Sequence, residues 1–350
     1  GRFHQQAPGT SPEQPFGTAA QVVEPVTTNL AVLNRLVSDP EQREQLGQHR
    51  RWTHAQQHHL WSRFEARHEE GEIGIRALDR RLGGLRASDL VILAARPSMG
   101  KTALAVNIAT NAASDGARVL IFSLEMSAEQ LAGRVIAERS GVPADKISRG
   151  EIGRDQFEAV VNAGAELDAL PMVIYDRPAI QPAVVRREAR RMQRDQGLDL
   201  IVIDYLQLMS PPGGKSDNRV SDVTHITAAM KEIAKELGVP VLLLSQLSRQ
   251  VEGREDKRPQ LSDLRDSGSI EQDADVVLFI YREEYYLTRS EPKAGTKAWD
   301  EWEAAVSAAM GKAEIITAKF RQGAVGRDVV RFEGRLTRFS DLEQEEPWHA

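Results

Sequence analysis

The chain contains no cysteine, which excludes disulfides, iron–sulfur clusters and thiolate-bound zinc, and fits a reducing cytosol. No stretch approaches the roughly 18 uninterrupted apolar residues of a membrane span, so no membrane association is expected. A secretory leader is also missing at the start. The chain opens Gly1-Arg2 rather than with methionine, however, as a processed or cloned fragment does. Positive charge is not in excess. The 45 Lys and Arg against 51 Asp and Glu leave a formal net charge of −6, which argues against a protein that simply coats nucleic acid. A locally basic lining stays compatible with that sum, because phosphate contacts depend on where the cations sit. Aromatic residues make up only 5% of the chain. No aromatic stacking platform and no Arg/Gly repeat stands out, which weighs against single-strand binding by base stacking.

What is present is an ordinary globular balance, 41% hydrophobic and 27% charged, in a length that suits one large α/β domain plus an appendage or two modest domains. Residues 1–28 are rich in Gln, Pro, Gly and Thr and read as disorder or linker. From 29 to about 70 the pattern turns helical, with Pro40 at a helix start after Ser38-Asp39. Leu60, Trp61 and Phe64 form an apolar stripe too narrow to make a core, so it is expected to dock on another domain or subunit. His54, His58 and His59 lie on the same segment. They lack the Glu and third ligand of a zinc helix, so a solvated polar face is the preferred reading.

From about 71 to 342 the chain alternates strands and helices, with a short tail at 343–350. The strand candidates are 90–95, 118–124, 171–175, 199–204, 240–245, 275–281 and 313–318. Most are continuous Val/Ile/Leu runs, the mark of a parallel sheet buried on both faces. The fold class is therefore α/β, a mostly parallel central sheet flanked by helices. Ligands should bind at the carboxyl ends of those strands. The segment 288–311 reads as an inserted acidic helix carrying Trp299, Trp302, Val306 and Met310.

The run Ala95-Arg96-Pro97-Ser98-Met99-Gly100-Lys101-Thr102 follows the apolar Leu90-Val91-Ile92-Leu93-Ala94 and precedes a helical pattern starting at Ala103. Strand, loop ending in Gly-Lys-Thr, then helix is the context of a phosphate-binding loop. Unpaired N–H groups of the helix start, together with its dipole, favour phosphate charge. Lys101 supplies a mobile cation for the β- and γ-phosphates, and the Thr102 hydroxyl suits Mg²⁺. Ala95 stands where such loops usually carry their first glycine, so φ must be negative there. A nucleoside triphosphate is the expected ligand.

Other strand ends carry further candidates. Leu200-Ile201-Val202-Ile203-Asp204 ends in a carboxylate placed to hold Mg²⁺. Glu125 follows the run Val119 to Leu124; it suits a base for an attacking water, or a helix-start glutamate favoured by the dipole. Gln246 ends Val241 to Ser245, where a γ-phosphate sensor and a plain surface amide fit about equally. Lys319 and Arg321 follow the last candidate strand; they read either as solvated cations or as a pair that stabilises a transferring phosphoryl group. The polar stretch Arg265-Asp266-Ser267-Gly268-Ser269 suits sugar–phosphate contacts without base readout, or a helix-capping loop. The basic cluster from Arg186 to Arg194 also carries a buried stripe, so a solvated helix face is preferred over a nucleic-acid patch.

Taken together, Ala95 to Thr102, Phe122-Ser123-Leu124-Glu125-Met126, Ile203-Asp204-Tyr205-Leu206-Gln207-Leu208-Met209 and Leu261 to Asp275 resemble the bacterial replicative helicase family, DnaB, in its C-terminal motor domain. The resemblance runs from about 71 to 341. It implies a RecA-like ATPase that forms a homo-hexameric ring around single-stranded DNA, moves 5′ to 3′ and unwinds the replication fork, in the cytoplasm of a bacterium or encoded by a phage or plasmid. It implies ATP and Mg²⁺ as cofactors, with Ser98, Met99, Gly100, Lys101, Thr102 and Ala103 around the phosphates and Thr102 and Asp204 at the metal. Glu125 would be the catalytic base, Gln246 the γ-phosphate sensor, and Lys319 and Arg321 a pair acting across the subunit interface. Arg134 would pack on the nucleotide base, and Arg265, Asp266 and Gly268 would face DNA. The family's globular N-terminal domain, which meets primase, is not recognisable in residues 1–70, of which 29–70 read as its helical remnant plus a linker helix. Primase and a helicase loader thus stand as open partner expectations. The insertion at 288–311 is longer than the family pattern. The alternative is a RecA-fold, DNA-stimulated ATPase that serves recombination or loading without processive unwinding.

Overall fold

A computed structural model describes residues 72–211, 218–264 and 268–342. The expectations for residues 1–70, including the histidines and the Leu60/Trp61/Phe64 stripe, and for the tail 343–350 lie outside the described residues, as do Arg265, Asp266 and Ser267.

In chain order the elements are α1 (Arg76–Leu82), β1 (Leu90–Ala95), α2 (Lys101–Ser114), β2 (Val119–Ser123), α3 (Ala128–Ser140), α4 (Ala144–Arg149), α5 (Arg154–Ala169), β3 (Met172–Tyr175), α6 (Pro182–Asp195) and β4 (Leu200–Asp204). They continue with α7 (Arg219–Leu237), β5 (Val241–Gln246), α8 (Gly268–Asp273), β6 (Val276–Tyr281), α9 (Glu283–Leu287), α10 (Lys297–Ala309), β7 (Lys312–Phe320), β8 (Gly326–Glu333) and β9 (Arg338–Asp341). The nine strands form one sheet in the order β3-β2-β4-β5-β1-β6-β7-β8-β9. The first six pair in parallel, and β7 to β9 add an antiparallel edge.

The continuous apolar runs have the physical cause expected of them. Alternate residues of β1 enter two different cores: Val91, Leu93 and Ala95 meet α2, α3 and α5 on one face, and Leu90, Ile92 and Ala94 meet α6 and α7 on the other. A strand covered on both faces has no position for a polar residue. Helix α2 is buried almost all round, with Leu104, Ile108 and Ala109 at 1% exposure or less. Its neighbour α3 starts with a reciprocal cap between Ser127 and Gln130.

All seven expected strands form. The hairpin β8–β9 was not anticipated. The 288–311 insertion differs in detail: it is a turn followed by α10, with α9 just before it, and Met310 lies past the helix end rather than on it, 63% exposed. Trp302 anchors the insertion by donating its indole N–H to the Leu287 carbonyl at 2.8 Å. Among the described residues no helix is long and apolar enough to cross a membrane.

Candidate nucleotide site

The loop 96–100 leaves the carboxyl end of β1, the central strand in position if not in number, and feeds α2. Ala95 is regular strand, 1% exposed, and its carbonyl accepts from Leu247 N at 3.2 Å. The negative φ required of it is met, since positive φ in this loop falls instead on Ser98, at 66°, and Gly100, at 97°. Gly100 is doubly constrained. A Cβ there would sit 2.9 Å from Phe339 Cζ, and an L-residue resists that φ. No side chain caps α2, so its first N–H groups stay available to an anion.

Asp204, at the end of β4, meets this loop. The Thr102 hydroxyl donates to Asp204 Oδ2 at 2.6 Å, and Lys101 Nζ lies 3.4 Å from Oδ1. Asp204 is 4% exposed, yet its Oδ1 has no hydrogen-bond donor. A buried carboxylate oxygen without a donor, beside a hydroxyl, is a hard-oxygen set of the kind Mg²⁺ takes; the residues fit the ion. Lys101 also lies 4.0 Å from the centroid of the Tyr205 ring. The Leu124 N–H donates to the Asp204 carbonyl at 2.7 Å, which brings the turn carrying Glu125 beside the Asp204 turn. Glu125 itself lies in a bend beyond the end of β2 and is exposed.

Two cations at this site carry an electrostatic penalty. Burial pushes the Lys101 ammonium below its ordinary value, against the opposing pull of Asp204 and then Glu125. Burial likewise lowers the half-buried Arg134, again opposed by Asp204 and Glu125. An added polyanion would relieve both. Arg134, expected to pack on the nucleotide base, is thus within electrostatic reach of Asp204 and Glu125.

Gln246 is the last residue of β5, in register with Ala95. Its half-exposed side chain therefore stands at the same sheet edge as the phosphate loop.

Lys319 and Arg321 are elsewhere. β7 runs antiparallel to β6, and Phe320 pairs with Val276 at the amino end of the parallel sheet. Lys319 is the penultimate residue of β7 rather than beyond it; its Nζ donates to the Ala274 carbonyl at 2.7 Å and to that of Glu271. Burial, then the neighbouring Arg321, lowers its pKa. Arg321 donates to the Gln272 carbonyl and lies 3.3 Å from Asp275. Both cations thus hold the end of α8. Gly268 opens that helix; its expected DNA-facing partners Arg265 and Asp266 lie outside the described residues.

Several side chains serve this region without any sequence signal. Arg96, 8% exposed, pairs with Glu252 at 2.7 Å and donates to the Leu247 carbonyl at 3.0 Å. Arg282 donates to the Ser98 carbonyl at 3.3 Å and covers the Phe332 ring. Gln207 reaches the main chain of Gln246. Each contacts backbone or residues distant in the chain, which no local pattern encodes. Nearby, Tyr281 and Tyr286 stack with centroids 5.7 Å apart, and Arg258 and Lys257 lie over the two rings. This is an aromatic–cationic cluster where none was expected. The α6 arginines are paired: Arg186 and Arg190 with Glu236, Arg187 and Arg191 with Glu188. That is the solvated, ion-paired face the sequence favoured. Among the described residues no group of His, Cys, Asp and Glu forms a metal cluster.

Comparison with known proteins bears on this geometry. The profile of the DnaB-like helicase C terminal domain matches residues 72–341. The replicative DNA helicase DnaB of Rickettsia felis is 45% identical over 282 residues, covering 77% of this chain and 57% of its own. That of Geobacillus stearothermophilus is 42% identical over 281 residues, covering 79% of this chain and 58% of its own. The chain thus spans a little more than half the length of these curated relatives. Among solved structures, the ATPase domain of G40P is similar with a TM-score of 0.71 and 33% identity, covering 83% of this chain and 97% of that one. A DnaB-like replicative helicase described with its primase interactions gives 0.70 and 34%, covering 83% and 66%.

Proposed function

The chain belongs to the DnaB-like helicase C-terminal domain family, and from that premise we propose that it is the RecA-like motor of an ATP-dependent replicative DNA helicase. In this reading it assembles as a homo-hexameric ring, moves 5′ to 3′ on single-stranded DNA and parts the duplex at the fork.

ATP sits on the loop 96–100, with its phosphates against the free N–H groups of α2, Lys101 and Arg134. The penalty that burial imposes on both cations supports this placement. Thr102 and Asp204 hold Mg²⁺ through the hydroxyl and the donor-free Oδ1. When bound, the ion neutralises charge that develops on the β- and γ-phosphates. Glu125 orients a water and accepts its proton as the oxygen bonds to the γ-phosphorus and ADP leaves. Gln246 reads the presence of the γ-phosphate at the same edge.

One observation carries the ring. Arg321 and Lys319 are at the amino end of the sheet, whereas Lys101 follows its carboxyl end. The six residues of β1 lie between them, about 17 Å at roughly 3.3 Å per residue. Neither cation reaches its own chain's loop. A heterologous, head-to-tail interface brings them to a neighbour's nucleotide, and such an interface makes a ring where its rotation closes. Drawn to that γ-phosphate, they leave the carbonyls at the end of α8, the helix that directly follows Arg265 to Ser267 in the chain. Arg265, Asp266 and Gly268 then shift against the sugar–phosphate chain without reading bases. Primase and a helicase loader are the further partners this reading expects.

A forked duplex with a 5′ single-stranded arm tests the reading. ATP-dependent strand separation is expected. DNA-stimulated hydrolysis with no separation would assign the chain to loading or recombination instead.

A further inference from the structure

The ladder between β4 and β5 stops at Ile203 opposite Leu243, whereas the ladder between β1 and β5 continues to Ala95 opposite Gln246. The last residues of β5 therefore have a strand partner on one side only. On the open side stands the Gln207 side chain. Its Nε2 donates to Ser245 Oγ at 2.9 Å and to the Gln246 carbonyl at 3.4 Å, and its Oε1 accepts from the Gln246 N–H at 3.2 Å. A primary amide carries the donor and acceptor that a peptide group would have offered there, so Gln207 stands in for the missing strand.

Gln207 is itself firmly held. It lies on the short helical turn Leu206–Leu208, and the Leu206 and Met209 side chains that flank it are buried at 0% and 2% exposure. Asp204, the last residue of β4, is joined to this turn through Tyr205 alone. One rigid segment thus carries, three residues apart, the carboxylate that meets Thr102 and the amide that grips Gln246.

We propose that Gln207 is a positioning residue that fixes the main chain of Gln246 relative to Asp204, so that the loss of a γ-phosphate at Gln246 is transmitted rather than absorbed by slack in the strand end. This rests on the sensor role proposed above for Gln246. The Gln207 amide is taken up by Ser245 and the main chain of Gln246. Its removal should therefore lower the rate of the DNA-stimulated reaction while leaving nucleotide affinity alone. A small misplacement of a reacting group is enough to slow turnover by one or two orders of magnitude.

The test is steady-state ATP hydrolysis with and without an oligo-dT strand, on Gln207→Leu, Gln207→Glu, Gln246→Ala and the double variant Gln207→Leu/Gln246→Ala. Gln207→Glu keeps size and the acceptor for the Gln246 N–H but cannot donate to Ser245 or to the carbonyl, so it preserves the packing of the turn. Both Gln207 variants should lose about tenfold in stimulated kcat with KM for ATP unchanged. The double variant should be no slower than Gln246→Ala, since the two act as a unit. If Gln246→Ala is slow while Gln207→Glu and Gln207→Leu run at the unmodified rate, the positioning role is overturned and the sensor stands. Independent, multiplying losses in the double variant overturn it too, as does a rise in KM that accounts for the whole effect. If Gln246→Ala itself runs unimpaired, the sensor reading falls and takes the positioning role with it.

Discussion

Arg321 Nη1 lies 3.3 Å from Oδ1 of Asp275, the residue whose other carboxylate oxygen accepts from the Leu90 N–H, at the first residue of β1, at 2.8 Å. The arginine is thus moored where the central strand begins, and the phosphate loop lies where that strand ends. Lys101→Ala and Arg321→Ala should each abolish hydrolysis, but through different faces of the subunit. In the proposed ring, a mixture of the two variants would contain some interfaces with an intact Lys101 on one side and an intact Arg321 on the other. In a random equal mixture about one interface in four is complete, so roughly a quarter of the unmodified rate should return. No recovery at any ratio would argue against catalysis across the interface.

Gly100 gives a second expectation. With φ at 97° and Phe339 Cζ only 2.9 Å from an added Cβ, Gly100→Ala carries a left-handed backbone penalty of about 1–2 kcal/mol plus the collision. Nucleotide affinity should fall by at least about tenfold, as loop distortion displaces the N–H groups that meet phosphate. Adding Phe339→Leu should recover part of that loss, because it removes the collision and leaves the backbone penalty. Titration with a fluorescent nucleotide measures both steps. Full recovery in the double variant would show that the backbone term is negligible.

The contrast between β1 and β8 shows which parts of this molecule a sequence reveals. β1 is apolar at every position because both its faces are buried. β8 mixes charge and exposure, with Val329 45% exposed, because it lies near the sheet edge and only Val330 and Phe332 turn inward. An edge strand has no continuous hydrophobic signature to read. Within the site, Lys101, Thr102 and Asp204 were legible as candidates because Asp204 ends an apolar strand and Lys101 and Thr102 open the helix that follows one. The roles expected of Gln246 and Arg321 were singled out only through family resemblance. Arg96 and Gln207 were invisible in those terms: their targets are backbone groups 151 and 39 residues away, and only the folded sheet order brings them together.

Arg96 makes that point testable. Its pairing with Glu252 and with the Leu247 carbonyl ties the phosphate loop to the segment 249–253 after β5. Arg96→Met keeps the apolar stem and removes both ties. Glu252 is 43% exposed and stays hydrated, so the cost comes chiefly from the Leu247 carbonyl, about 1–3 kcal/mol. Urea denaturation should show that loss, and amide exchange should quicken most at Val251 and its neighbours. Exchange that changes uniformly over the chain would mean the tie is not local.

Glu138 supplies a pH dependence with a definite sign. It lies on α3, and its Oε2 accepts from Asn107 Nδ2 at 2.8 Å, while Asn107 Oδ1 accepts from the Phe339 N–H at 2.7 Å and so joins α2 to β9. Burial raises the Glu138 pKa above 4.5, and Arg139, the Asn107 bond and Arg338 only partly oppose it. An acid raised in this way holds its proton more tightly in the folded chain than in the unfolded one. Its contribution to stability is complete below the unfolded value of 4.5 and is lost as pH rises through the folded value. Glu138→Gln keeps an acceptor for Asn107 and removes the charge that burial penalises. The variant should therefore melt higher than the unmodified chain at neutral pH. That gap should close as both are brought below pH 4.5, where the carboxyl takes up its proton in folded and unfolded chains alike. Differential scanning calorimetry on the pair across this range cancels the titration of all other carboxylates. A variant that melts lower at neutral pH, or by a margin that does not change with pH, would show that the charged form of Glu138 is the one the fold uses.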